Sequence, residues 1–207
     1  MASITILNVS NRPIDFSIYY LDKNSTETLT CKSTAYFGPT KYETIEYPDD
    51  CTEIMVSVSI EITSDVFEHI VSLKIPSPST KFYEFINDND KDAGLFEINA
   101  NNLKNISKIK FKNKTLNGCA IALAFDIGGK EFIQNKGISK NRGLTLTIPF
   151  NAKNLRFTVY TLSPSDGWID LKTIALQDLL EDKCYELIRN PSTSNFLLKE
   201  TCSSTSK

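Results

Sequence analysis

The sequence predicts an all-β protein of two tandem, internally homologous antiparallel β-sandwiches, with seven or eight strands each, as in immunoglobulin-like or C2-like domains. Three observations predict it. The chain repeats its landmarks at a nearly constant offset, apolar residues alternate with polar ones through most of its length, and turn residues interrupt the alternation about every ten positions.

The repetition is the most specific of the three. Ile4-Thr5-Ile6-Leu7-Asn8, followed by Ile14, Phe16, Ile18 and Tyr20, returns as Ile109-Lys110-Phe111-Lys112-Asn113, followed by Cys119, Ile121, Leu123 and Phe125. Asn8 and Asn113 are 105 positions apart. Tyr47-Pro48 answers Ile148-Pro149, Ile54/Val56/Val58 answers Leu155/Phe157/Val159, and Phe67 answers Trp168, all 101 positions apart. Phe82-Tyr83-Glu84-Phe85-Ile86 then matches Cys184-Tyr185-Glu186-Leu187-Ile188, offset by 102. Offsets that drift by a few residues are what different loop lengths produce in two copies of one fold. The expected domains are 1–100 and 106–207, joined by the short polar stretch Ala100 to Asn105.

Strands are expected near 3–9, 14–21, 27–36, 41–47, 53–61, 66–75, 81–86 and 94–98 in the first copy. In the second they fall near 107–113, 118–126, 129–134, 143–148, 154–162, 167–174, 183–188 and 195–200. Ile14, Phe16, Ile18 and Tyr20 line one side of their run, as do Ile54, Val56, Val58 and Ile60. A period of two in β-branched and aromatic residues marks a strand with one buried face. Trp168 and Phe67 fit this alternation as core residues, and Tyr83 and Tyr185 as matched packing. Turns are expected at Asn11-Arg12-Pro13, Pro48-Asp49-Asp50 and Gly128-Gly129, where glycine supplies positive φ. One short helix is expected in the second copy, over Thr173 to Asp182, where Leu176, Leu179 and Leu180 share a helical face.

Composition narrows the function. A net charge of −2 leaves no basic surplus for a phosphate backbone, which argues against a nucleic-acid partner. No apolar run reaches the length of a transmembrane helix. The opening residues lack the pattern of a secretory signal, so synthesis in the cytoplasm is expected, with release by lysis or non-classical export. The five cysteines include no C-x-x-C pair; Cys31 with Cys51, or Cys184 with Cys202, are the spacings that would bridge within a copy, and reduced thiols are the favoured state.

Catalytic constellations are missing. The single histidine, His69, sits on an expected strand and has Asp170 as its counterpart, so no histidine-based site is shared by the copies. Glu84 and Glu186 are equivalent carboxylates, better explained as structural groups. Asp88, Asp90 and Asp92 have the spacing of hard-oxygen calcium ligands, although the EF-hand pattern fails at its glycine and at its twelfth position. Calcium is therefore the one cofactor that the residues bring forward, against an ordinary solvated turn. The first copy holds aromatics that the second lacks. Among them Tyr36, Phe37 and Tyr42 are candidates for a stacking platform toward a protein or glycan partner. Four Asn-x-Ser/Thr triplets, at Asn8, Asn24, Asn105 and Asn113, are read as chance in an Asn-rich chain.

The expected function is a non-catalytic binding module, or a self-assembling structural protein in which the partner is a second copy. The alternative is a toxin or lectin-like effector acting on cell surfaces or membranes.

Overall fold

The structure is a computed structural model of the whole chain, and it describes residues 1–23, 29–64, 66–88, 92–163, 167–176, 182–190, 192–193 and 195–202. In the first copy the strands are β1 (Ala2–Asn8), β2 (Ile14–Leu21), β3 (Leu29–Ser33), β4 (Tyr42–Tyr47), β5 (Thr52–Thr63), β6 (Val66–Ile75), β7 (Lys81–Asp88) and β8 (Asp92–Ile98). In the second they are β9 (Lys108–Asn113), β10 (Cys119–Ile127), β11 (Lys130–Ile138), β12 (Gly143–Thr147), β13 (Lys153–Ser163), β14 (Gly167–Ala175), β15 (Lys183–Arg189) and β16 (Phe196–Glu200).

These strands form four four-stranded sheets, ordered β4-β1-β7-β8 and β3-β2-β5-β6, then β12-β9-β15-β16 and β11-β10-β13-β14. The second pair repeats the first strand for strand. β1 pairs parallel with β7, as β9 does with β15, while the other ladders are antiparallel. The chain is thus two tandem β-sandwiches, and it divides into two compact units after a 3-10 turn, Ala100–Lys104, that belongs to the first.

Each unit has its own interior. In the first, Ile4, Ile6, Tyr47 and Phe85 from one sheet meet Phe16, Ile18, Val56 and Val58 from the other. In the second, Phe157 lies between Phe111 and Tyr185, with ring centroids 6.0 and 5.2 Å away. Alternation places these side chains inside because successive strand residues point to opposite faces. Tyr83 and Tyr185 are buried, as the alternation predicts, and burial drives the Tyr83 phenol up to about 12.

The duplication extends to irregular backbone. Thr40 and Asn141, 101 positions apart, adopt φ of 67° and 56°, and Glu53 and Asn154, also 101 apart, adopt 52° and 51°. Bulges fall between Tyr19 and Leu21 in β2 and between Ala124 and Asp126 in β10, again equivalent places. Left-handed backbone disfavours a β-branched residue and is tolerated by asparagine. Thr40→Asn, which copies the second unit, should therefore stabilise the first unit by about 0.5–1 kcal/mol, read as a raised urea midpoint. The turn between β10 and β11 is the two-residue Gly128-Gly129 loop, with φ of 62° and 83°.

Several sequence expectations are corrected. Thr173 to Ala175 end strand β14 rather than beginning a helix, and 177–181 lie outside the described residues. Trp168 is not in the core. Cys184 and Cys202 form a disulfide, with Cα atoms 4.9 Å apart, where reduced thiols were favoured. The backbone explains that pairing, because Thr201 N–H donates to the Cys184 carbonyl at 2.9 Å. Of the remaining thiols, Cys31 is exposed, whereas Cys51 and Cys119 are buried. Thiol counting on the unreduced protein should accordingly give about one reactive group natively and about three in denaturant, following exposure.

Candidate functional site

A polar motif buried at the end of β1, and again at the end of β9, is the clearest local construction. Asn8 Nδ2 donates to the carbonyls of Arg12 (2.8 Å) and Phe37 (3.2 Å), while its Oδ1 accepts from the Ser10 N–H (3.0 Å) and hydroxyl (2.6 Å). Asn113 Nδ2 donates to the carbonyls of Asn117 (2.8 Å) and Ser139 (3.3 Å), and its Oδ1 accepts from the Thr115 N–H (2.9 Å) and hydroxyl (2.7 Å). Both amides are fully buried. These two Asn-x-Ser/Thr triplets are therefore neither chance nor glycan acceptors; each ties a loop to the strand edge. They are structural.

Titratable chemistry is sparse. Among the described residues, the thiol and phenol shifts run upward. Burial lifts Cys119 to about 11 and also raises Cys51, Tyr47 and Tyr185, which keeps these groups neutral. Tyr47 spends its hydroxyl on Ser79, accepting from the N–H at 3.2 Å and donating to the carbonyl at 2.9 Å. His69 hydrogen-bonds Ser57 through Nδ1 (2.9 Å) and Ser72 through Nε2 (3.3 Å) on an exposed sheet face. The equivalent carboxylates differ in setting: Glu84 is buried, whereas Glu186 pairs with Lys114 at 2.8 Å.

No group of three or more metal-ligating side chains occurs among the described residues. The calcium candidates fall at the β7–β8 hairpin, where Asp90 and the side chains of Asp88 and Asp92 lie outside the described residues.

The aromatic candidates separate. Phe37 is only 5% exposed and packs edge-on against Phe16 at 6.2 Å, so it belongs to the core and cannot stack on a partner. Tyr42 is exposed on β4, in the other sheet of the first unit. Tyr36 lies over Phe67, with centroids 6.0 Å apart. These three residues do not make one platform. Elsewhere on the first unit an open cleft of about 590 Å³ lies between edge strands β3 and β4, lined by Lys32, Ser33, Thr44, Ile45 and Glu46. Lys32 Nζ already reaches across it to the Glu46 carbonyl at 2.7 Å.

The second unit exposes an aromatic of its own, Trp168. Trp168 pairs with Leu162 across β13–β14, and one row along Tyr160 pairs with Asp170. Phe157, Val159 and Thr161 point into the core, so residues 158, 160 and 162 and their partners point outward. Trp168 is 54% exposed and Leu162 56%.

The two units explain why. Phe37 O and Ile138 O accept from Asn8 and Asn113 respectively, so the preceding residues Tyr36 and Gly137 correspond. Tyr36 covers Phe67. Gly137 offers no side chain, and apart from its chain neighbours nothing lies within 4 Å of where one would begin.

No protein-family model matches the chain, and no curated protein matches it. Among solved structures it is similar to the cytotoxin protein suilysin from Streptococcus suis, at 12% identity with a TM-score of 0.33. The alignment covers 70% of this chain and 39% of that one, so the chain spans about two fifths of that protein's length.

In the outward row beside Trp168, Asp170 pairs with Tyr160, Tyr160 with Ala120 and Ala120 with Gly137, while Ala122 and Thr158, one row further, are buried. The cation of these rows, Arg156, pairs with Glu131. Among the described residues, no helix is long and apolar enough to cross a membrane.

Proposed function

We propose that the protein is a non-catalytic binding protein, and that the outward sheet face around Trp168 in its second unit is its contact surface. The observation that carries this reading is the pair of equivalent positions: Phe67 is covered by Tyr36, while Trp168 is exposed and the residue equivalent to Tyr36 is Gly137. An exposed indole beside an exposed leucine is costly in water and is enriched where one molecule meets another. Burial raises the Cys119 thiol and the Tyr83 phenol, a setting that disfavours a thiolate or phenolate nucleophile at either.

Trp168 is the only tryptophan in the chain, so fluorescence reports this face alone. Acrylamide should quench the native protein nearly as well as the urea-unfolded one, with light scattering giving a monomer. Shielding that rises with concentration, together with a dimer mass, would make the partner a second copy. A monomer whose native emission resists quenching would overturn the reading.

A further inference from the structure

We infer that the face around Trp168 takes a neutral carbohydrate chain, one sugar ring stacking its C–H face on the indole and offering hydroxyls to Asp170. The inference rests on the contact surface proposed above and adds the chemistry of the partner.

The electrostatics choose among partners. Asp170 stands on the same face as Trp168, two residue pairs along, and is exposed. Arg156, further down β13, is neutralised by Glu131. A membrane-binding face would set cations beside its aromatic residues to meet anionic headgroups, and this face presents a carboxylate instead. Nucleic acids and acidic polysaccharides are disfavoured for the same reason. A neutral sugar meets both features, because its axial C–H bonds carry slight positive charge toward the negative face of the ring and its hydroxyls donate to a carboxylate.

The shape agrees. Leu162 widens the indole platform, and Tyr160, paired with Asp170 in the next outward row, sets a second ring on the same face.

The test titrates the full chain with chitohexaose, cellohexaose, mannan and dextran, following Trp168 emission, and with phosphatidylcholine vesicles as a separate arm. At least one glycan should shift the emission to shorter wavelength. Calorimetry with that glycan should show Trp168→Ala weakening binding by about tenfold or more, Trp168→Phe by only a few-fold, and Asp170→Asn by an intermediate amount. Circular dichroism of Trp168→Ala should match the parent, as the side chain lies outside the core. Silence toward all four glycans would overturn the carbohydrate assignment while leaving the exposed contact face intact. A shift with vesicles alone would replace it with a lipid surface, and equal affinity in Trp168→Ala would overturn both.

Discussion

Asn113→Asp is expected to destabilise the second unit by about 3–5 kcal/mol, and Asn8→Asp the first by as much. The substitution keeps the acceptor that Ser10 or Thr115 uses and removes the two-hydrogen donor. In its place a carboxylate oxygen faces the carbonyls of Arg12 and Phe37, or of Asn117 and Ser139. Domains of about this size hold roughly 5–15 kcal/mol in all, so each variant loses much of its unit's stability.

Acid should restore part of the loss. Burial and the facing carbonyls raise the new carboxyl's folded pKa above its unfolded value near 3.9. Between those two values the folded form binds more protons, so the variant's stability falls as pH rises through that window. Urea unfolding from pH 4 to 8 reads this directly. A variant as stable as the parent at pH 7 would show that the motif does not hold the loop.

The second large effect is in the cores. Phe16→Ala and Phe157→Ala should each cost about 3–5 kcal/mol, since both rings are fully buried and each leaves a cavity among other rings. Because the two interiors are separate, each change should lower one unfolding transition and spare the other. Amide exchange resolved by peptide would assign the weakened half. Equal weakening of both halves would mean a single cooperative core.

Much of this fold is legible in the chain. The repeat offsets name the equivalent strands, and the period of two names the residues that point inward. Core position alone does not follow from that period. Trp168 stands on the outward side of β14, and the position equivalent to Tyr36, which meets Phe67 in the first unit, is Gly137 in the second. The Asn8 and Asn113 motifs were half visible. An asparagine with a hydroxyl residue two places on recurs at matched sites, and that signal was stronger than chance glycosylation triplets warrant. The carbonyls that complete the motif, from Phe37 and Ser139, come from distant backbone with no sequence mark. The disulfide was one of two open pairings until β15 and the segment after β16 brought Cys184 and Cys202 together.

Moving the tryptophan from one copy to the other tests the account most directly. In the double variant Phe67→Trp/Trp168→Phe, the sole indole lies beneath Tyr36 instead of in the unit where the equivalent residue is Gly137. Acrylamide should quench it markedly less than it quenches the parent protein, and removing the cover with Tyr36→Gly should bring the quenching back. Equal quenching at the two positions would mean that the copies do not differ where the binding face is placed.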